Sequence, residues 1–183
     1  MSRFLLIYSS RDGQTAAIAR RLARTVESLG HVAEVLPAET PSLAADLAGS
    51  DIVVIGAGIR YGSHGPVIER VVHEHLAGIV SRPNAFFSVS LSAGGPGAHP
   101  GNACKYVAEF AHRTHWQPQR TACFAGALLY TKYNPLLRMM MRFIAGRAGG
   151  DTDTSRDHEY TDWEAVDRFA REIVATATER LAA

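Results

Sequence analysis

The sequence predicts an α/β protein in which helices cover both faces of a parallel β-sheet. Short apolar runs alternate with amphipathic stretches along the chain, which is the pattern of successive strand–helix units. The run Ile52-Val53-Val54-Ile55 is β-branched throughout, as expected of a strand buried on both faces. The 183 residues contain no repeat, low-complexity tract or linker, so we expect one domain spanning residues 1–183.

The first half of the chain contains three predicted strands and two predicted helices. Residues 4–8 form the first strand, which ends in a polar turn with a glycine. Residues 14–29 follow as a helix, because apolar side chains recur at helical spacing until Gly30 ends the pattern. The next elements in order are strands at residues 31–36 and 51–55 and a helix at residues 67–80.

The second half continues the alternation but contains a long insertion. Strands are predicted at residues 85–91 and 121–129, and helices at residues 102–115 and 162–181. The last helix has Thr161 or Asp162 as its N-cap. About thirty residues separate Tyr130 from Tyr160, where a short loop is usual. An insertion of about residues 131–160 is therefore expected near the fifth strand.

Composition and charge exclude several classes of protein. Hydrophobic residues make up 46% of the chain and charged residues 20%, which indicates a folded core rather than disorder. Cys104 and Cys123, without a CxxC motif, cannot form a disulfide framework or a four-ligand zinc site. The net charge of +1 gives no reason to expect nucleic-acid binding. We therefore expect a cytoplasmic protein without a signal peptide or a membrane-spanning helix.

The loop after the first strand has the composition of a phosphate-binding turn. Residues Ser9 to Thr15 read SSRDGQT and lead directly into a helix. Hydroxyl groups and free backbone N–H groups at a helix N-terminus suit a phosphate. The segment is neither GxGxxG nor GxxxxGK[ST], so dinucleotide and P-loop sites are not indicated. An ordinary capped turn is the alternative.

Two further glycine-rich loops follow the third and fourth strands. Residues 56–63 carry Tyr61, which can stack on a flat ligand, among glycines that let the backbone approach it. Residues 90–97 again combine small side chains with exposed amides. Either loop alone is compatible with a simple flexible turn. The three loops jointly predict one ligand site, because the carboxyl ends of parallel strands meet at the switch point in strand order.

The same loops resemble those of flavodoxins, and further segments make the resemblance more specific. The segments are YSSRDGQT, VVIGAGIRYG, FFSVSL, AGALLY, GGDTDTS and EYTDWEAVDRFAREI. By these motifs the chain is identified as a member of the menaquinone-dependent protoporphyrinogen IX dehydrogenase family, over nearly its whole length. The resemblance implies a flavodoxin-like three-layer sandwich with a five-stranded parallel sheet in the order 2-1-3-4-5. It also implies FMN as cofactor, protoporphyrinogen IX as substrate, menaquinone or another quinone as electron acceptor, and a role in heme biosynthesis.

The resemblance also implies which residues hold FMN. The phosphate would lie in the first loop, the isoalloxazine ring between the other two, and a later segment would close over the flavin. The residues carried over are Ser9, Ser10, Arg11, Asp12, Gly13, Gln14, Thr15, Arg60, Tyr61, Gly62, Ser88, Val89, Ser90, Leu91, Ser92, Ala93, Gly150, Asp151, Thr152 and Asp153. Residues 94–97 depart from the lysine-bearing loop expected in enteric members. No side chain stands out as an acid or base, so the chemistry is assigned to N5 of the flavin, and no metal is expected.

The insertion has a basic charge pattern. Its segment 131–148 has no acidic residue, and its basic residues are Lys132, Arg138, Arg142 and Arg147. Asn134-Pro135 predicts the start of a helix with basic and apolar residues on opposite faces. Such a helix suits an anionic bilayer or a flat apolar substrate with carboxylates. The predicted substrate or membrane contacts are Lys132, Arg138, Met140, Arg142 and Phe143. A helix packed on the domain, with its arginines in solvent, is the alternative.

Three other classes share this fold. A flavodoxin-type electron carrier is usually strongly acidic, unlike this chain. An NAD(P)H:quinone reductase needs no separate dinucleotide fingerprint, so it stays an alternative. A flavin-free signalling domain would carry acids at the end of the first strand, where Tyr8-Ser9 stand here. The favoured prediction is a quinone-dependent dehydrogenase in peripheral contact with the inner face of the cell membrane, and the sequence leaves a homo-oligomer open.

Overall fold

Strands and helices alternate along the chain, of which the computed structural model describes residues 1–147 and 149–181. The strands are β1 Arg3–Ser9, β2 Val32–Pro37, β3 Ile52–Arg60, β4 Ser63–His64, β5 Asn84–Ser90, β6 Arg120–Ala125, β7 Ala127–Leu128 and β8 His158–Glu159. The helices are α1 Gln14–Ser28, α2 Leu43–Ala48, α3 Pro66–Val80, α4 Pro100–Thr114, α5 Pro135–Arg147 and α6 Trp163–Leu181. Two short 3₁₀ turns occupy Leu91–Ala93 and Tyr130–Lys132.

Five parallel strands form the central sheet in the order β2-β1-β3-β5-β6. This order matches the predicted 2-1-3-4-5, because β4 is a two-residue return strand that pairs antiparallel with the end of β3. The strand order switches direction between β1 and β3, so the loops after β1, β3 and β5 meet at one edge of the sheet. The predicted sheet is confirmed.

Helices cover both faces of this sheet and give the fold three layers. On one face, α1 and α6 pack their apolar stripes on the strands and bury Leu22 and Phe169. On the other face, α2, α3 and α4 pack around Phe86 and Phe110, whose ring centroids lie 4.6 Å apart. Strands β3 and β5 lie between both layers, which explains their continuous apolar sequence. The expected three-layer sandwich is confirmed.

One contact between neighbouring strands requires a glycine. Gly56 of β3 lies opposite Phe87 of β5 in the parallel register. A Cβ atom built on Gly56 would lie 2.0 Å from the Phe87 ring, well inside van der Waals contact. The aromatic ring therefore occupies the space that any larger residue at this position would need.

Two predictions about element boundaries are wrong or incomplete. The strand predicted at residues 121–129 ends at Ala125, because the Gly126 N–H donates to the Ser90 carbonyl and the Gly126 carbonyl accepts from the Tyr160 N–H, both at 3.1 Å. The next two residues form β7, which pairs antiparallel with β8. Helix α2 was not predicted, because its six residues bury only two side chains and leave little periodic signal.

The insertion folds onto its own small core. Helix α5 begins at Pro135 as predicted, with the Asn134 side-chain oxygen accepting from the Leu137 N–H at 2.8 Å. The core consists of Leu128, Leu129, Tyr130, Tyr133 and Ala145, with Leu91, Ala127, Leu137, Met141 and Tyr160 packed around it. Because Leu91 follows β5 directly, this core joins the insertion to the loop edge of the sheet. The chain then returns to α6, where Asp162 accepts from the Ala165 N–H at 3.0 Å as one of the two predicted caps.

Candidate functional site

The loop after β1 presents the N-terminus of a long helix. Gly13 adopts φ +99°, a conformation that glycine tolerates best, and its N–H donates to the Ser10 hydroxyl at 3.1 Å. The first helical hydrogen bond runs from the Ala17 N–H to the Gly13 carbonyl, so the amides of the first turn of α1 have no helical acceptor. No acidic residue occupies that turn. These donors and the helix dipole suit a phosphate.

The loop after β3 is a tight hairpin turn that carries an exposed aromatic ring. Tyr61 and Gly62, the two central residues, adopt φ +52° and +82°, as a type I′ turn requires. The Tyr61 side chain is 79% exposed, and the Arg60 guanidinium lies over its ring at 5.2 Å. Arg60 also lies 3.7 Å from the Asp12 carboxylate, which links this turn to the phosphate-type loop. The predicted residues of the two loops therefore come together.

The end of β5 carries two buried hydroxyls in different situations. The Ser88 hydroxyl lies 2.9 Å from His64 Nε2. The Ser90 hydroxyl is buried and has no hydrogen-bond partner within the described part of the chain. A buried hydroxyl left unpaired is costly, so this position favours a ligand with a polar edge. The 3₁₀ turn Leu91–Ala93 follows at once and completes the third predicted loop.

His64 was not predicted to belong to the site. It follows the Tyr61 turn, and its ring packs edge-on against Phe86 and Phe110 with centroids at 5.2 and 4.9 Å. Burial, and to a smaller extent the positive charge of Arg113, lower the pKa of His64 to about 3. The imidazole is therefore neutral near pH 7. No local pattern could have identified it, because its partner Ser88 is 24 residues away.

Asp151 lies at the centre of a polar cluster in the later segment. The Tyr160 hydroxyl donates to its carboxylate, and the Tyr130 hydroxyl donates to its backbone carbonyl at 2.7 Å. His158 Nδ1 lies 3.5 Å from the same carboxylate. Burial and the Asp151 carboxylate raise the pKa of Tyr160, which keeps its hydroxyl protonated as a donor. This cluster fixes residues 151–160 as a folded unit.

The later segment contacts both the first and the third loop. The Tyr160 ring lies against Gly95, where an added Cβ would come within 2.6 Å of the ring. The Gln14 amide donates to the Glu159 carboxylate at 2.7 Å and to the Thr161 hydroxyl at 2.8 Å. An added Cβ at Gly150 would lie 3.4 Å from the Pro96 carbonyl. The segment around Gly150 thus lies beside the first and third loops.

Two other predicted residues of this segment have different neighbours. Thr152 lies next to Gly146 of α5, where an added Cβ would be 3.3 Å from the threonine methyl group. The Asp153 carboxylate accepts from the backbone N–H and the hydroxyl of Ser155 and pairs with Arg156 at 3.2 Å. Within the residues that the structure describes, both side chains contact the insertion rather than the three loops.

The predicted contacts on the insertion divide into two groups. The Arg138 guanidinium donates to the carbonyls of Tyr130 and Tyr133 at 2.9 and 3.2 Å, so it supports the insertion itself. Lys132, Met140, Arg142 and Phe143 are exposed. Burial raises the pKa of the buried Tyr133 hydroxyl, and the negative charge of Asp12 in the first loop acts in the same direction. Within the described ranges, no group of three or more His, Cys, Asp or Glu side chains could hold a metal ion.

A family model and curated relatives match most of the chain. Residues 5–155 match the family model described as flavodoxin domain. The chain is 41% identical over 172 residues to protoporphyrinogen IX dehydrogenase [quinone] of Escherichia coli (strain K12), covering 92% of this chain and 93% of that protein. It is 35% identical over 175 residues to the protein of the same name from Leishmania major, and the match covers 93% of this chain and 74% of that protein.

Solved structures support the fold. Flavodoxin 2 from Bacillus cereus matches with a TM-score of 0.58 and 16% identity, and a flavodoxin from the domain Archaea with 0.56 and 17%. Each match covers 96% of this chain and 99% of the other. The full-length match to curated relatives, together with the flavodoxin-domain match, shows that the chain belongs to the protoporphyrinogen IX dehydrogenase [quinone] family.

Proposed function

We propose that this protein uses FMN to oxidise protoporphyrinogen IX to protoporphyrin IX, a reaction of heme biosynthesis. The electrons pass to a quinone, and we propose that this quinone is menaquinone. The observation that carries the proposal is 41% identity over 92% of the chain to a relative that bears the name of this activity. The loop edge of the sheet supplies a matching cradle, since a helix N-terminus, an exposed tyrosine and an unpaired hydroxyl converge there.

The residues of the three loops fit FMN. Residues 9–15 would hold its phosphate with the free amides of α1, and Ser10 and Gly13 keep that turn in shape. The ring would lie between the Tyr61 turn and residues 88–93, where the Ser90 hydroxyl gains a polar partner. When bound, FMN supplies the hydride acceptor at N5 and the route for electrons to the quinone.

The protein's own contribution is to position groups and exclude water. The ion pair between Arg60 and Asp12 holds the second loop against the first, and Tyr61 offers a flat apolar surface beside them. The insertion covers the third loop through Leu91 and Tyr160, which restricts solvent access from that side. No acid–base residue is assigned to the reaction.

We further propose peripheral contact with an anionic membrane through the insertion, at the inner face of the cell membrane. Leu136, Met140 and Ile144 recur every four residues of α5 and are 74%, 37% and 46% exposed. An exposed apolar row beside basic side chains is typical of helices that lie in a bilayer surface. Within the described part of the chain, no helix combines the length and the apolar content needed to cross a bilayer.

Flotation with lipid vesicles tests the membrane proposal. The wild-type protein should float with vesicles that contain anionic lipid and stay behind with neutral ones. Met140→Glu and Ile144→Glu should lose flotation, since each places a negative charge in the exposed apolar row that would enter the bilayer surface. Glu74→Gln, on the exposed face of α3, is the control and should float like the wild type. Equal flotation of all four proteins would remove α5 from the contact.

A comparison of electron donors tests the enzymatic proposal against its rivals. The purified protein, loaded with FMN, is given a menaquinone analogue and one donor at a time: protoporphyrinogen IX, NADH or NADPH. The proposal predicts rapid reduction of the quinone with protoporphyrinogen IX alone. Rapid reduction with NADH or NADPH would favour an NAD(P)H:quinone reductase, and reduction with none of the donors would favour an electron carrier.

A further inference from the structure

Helix α5 has a second exposed flank, distinct from the row proposed to contact the membrane. A groove of about 540 Å³ runs along this flank and is lined by Met139, Arg142, Phe143, Gly146, Arg147 and Thr152. Met139 and Phe143 are 67% and 64% exposed, although large apolar side chains are normally covered. The side chains on the opposite face of the helix, Leu137, Met141 and Ala145, are those that pack on the domain. The groove is therefore open and apolar at its centre.

Two guanidinium groups border this apolar surface. Arg142 and Arg147 are exposed, and in the described residues neither forms an ion pair with an acidic side chain. Arg147 lies over the Phe143 ring at 5.6 Å, which holds it at the edge of the groove. Five helical positions separate the two arginines, a rise of about 7.5 Å along the axis. Arg138 differs from these two arginines, because its guanidinium already donates hydrogen bonds to two backbone carbonyls.

One segment of the chain links the groove to the third loop of the candidate flavin site. Its wall includes Thr152, which directly follows Asp151 and the cluster with Tyr160. The ring of Tyr160 in turn lies against Gly95 of the third loop. The groove is therefore connected to the third loop through the segment of residues 151–160. Gly146 leaves the floor of the groove open, because a side chain there would meet Thr152.

We propose that this groove binds the carboxylate edge of the porphyrinogen, with Arg142 and Arg147 pairing with its propionates and Phe143 and Met139 contacting the macrocycle. The proposal rests on the function proposed above. Guanidinium groups pair with carboxylates in bidentate geometry, and aromatic and thioether side chains suit a flat apolar surface. Arg142 and Arg147 are thus specificity-determining residues that select a substrate with free carboxylates.

Direct binding tests this assignment without relying on turnover. The FMN-loaded protein is titrated with protoporphyrin IX and with its dimethyl ester, and the quenching of protein fluorescence is followed. Arg142→Gln and Arg147→Gln should each weaken binding of the diacid by about tenfold, and should leave binding of the ester unchanged. Phe143→Ala should weaken binding of both ligands to a similar degree. Arg24→Gln, an exposed arginine on α1, is the matched control.

The outcomes separate this proposal from the one on which it rests. Equal affinity of all the arginine variants for the diacid, or an equal loss for diacid and ester, would overturn the groove assignment. So would variants that lose binding to anionic vesicles while keeping full affinity for the diacid, because the groove would then serve the membrane. Selective loss of binding to the diacid supports the assignment of the groove even if quinone-linked turnover fails. In that case only the proposed reaction is wrong.

Discussion

Ser88 and Ser90 lie two positions apart on β5, yet their hydroxyls have different roles. The Ser88 hydroxyl forms a hydrogen bond with His64, whereas the Ser90 hydroxyl is buried without a hydrogen-bond partner in the described residues. An unpaired buried hydroxyl costs about 1–3 kcal/mol, so a ligand that pairs with it gains affinity. The sequence could predict that both serines lie at a ligand-binding strand end. It could not separate them, because the difference depends on a histidine brought in by the β4 turn.

Replacing the two serines should separate support of the fold from binding of the ligand. Ser88→Ala should lower the free energy of unfolding of the FMN-free protein by about 1–3 kcal/mol, because His64 Nε2 loses its partner. Ser90→Ala should raise that free energy by up to about 1–3 kcal/mol, because it removes an unpaired buried hydroxyl, and should weaken FMN binding by about tenfold. Urea unfolding and fluorescence titration with FMN measure the two effects. Reversed effects would contradict the assignment of Ser90 to the cofactor site.

The neutral state of His64 should make stability depend on pH. Its pKa is about 3 in the folded protein and 6.5 for an ordinary histidine. Between these values the unfolded chain binds a proton that the folded protein excludes, so the free energy of unfolding falls as the pH drops below about 6.5. The slope is at most about 1.4 kcal/mol for each pH unit.

Urea unfolding at pH 7 and pH 5 measures this slope. His64→Gln should reduce the loss of stability on acidification, since glutamine does not titrate and its amide can still bond to Ser88. His112→Gln, an exposed histidine on α4, should retain the wild-type loss. An unchanged slope in His64→Gln would show that other groups control the acid sensitivity.

At the scale of elements, the strand–helix alternation was predictable and the insertion only in part. Asn134-Pro135 identified the start of α5, because capping depends on residues adjacent in sequence. The direction of its side chains was not predictable. Arg138 turns inward to two carbonyls, since Tyr130 and Tyr133 are brought beneath it by the 3₁₀ turn. The early end of β6 has a similar cause, because Gly126 bonds to residues distant in sequence.

The packing of β3 on β5 predicts the effect of substituting glycine. Gly56→Ala should destabilise the protein by several kcal/mol, roughly 2–5, because the new methyl group overlaps the Phe87 ring. Gly101→Ala on α4 is the matched control, since nothing lies within 4 Å of the added Cβ and its φ is ordinary. The control should change the stability by less than about 1 kcal/mol. Thermal unfolding of both variants measures the difference. An equal change in stability for the two variants would contradict the close contact between Gly56 and the Phe87 ring.

At the scale of the whole molecule, the insertion lies at the same edge of the sheet as the ligand loops. Contacts from Tyr160 to Gly95 and from Gln14 to Glu159 connect them. A carrier that only exchanges electrons needs no such addition, whereas an enzyme that meets a bulky apolar substrate and a membrane quinone can use an exposed apolar and basic helix. The location of the insertion thus agrees with the proposed function. The resemblance identified the family, and the structure adds the neutral His64 and the groove on α5.

Anaerobic turnover tests the central claim most directly. The yellow, FMN-loaded protein is mixed with protoporphyrinogen IX and a menaquinone analogue, and porphyrin fluorescence and quinol formation are followed together. The proposed function predicts that porphyrin appears faster than in the protein-free control, only when quinone is present, with one quinol formed for each two-electron step. Fluorescence that grows at the protein-free rate, in protein with a complete FMN spectrum, would contradict it.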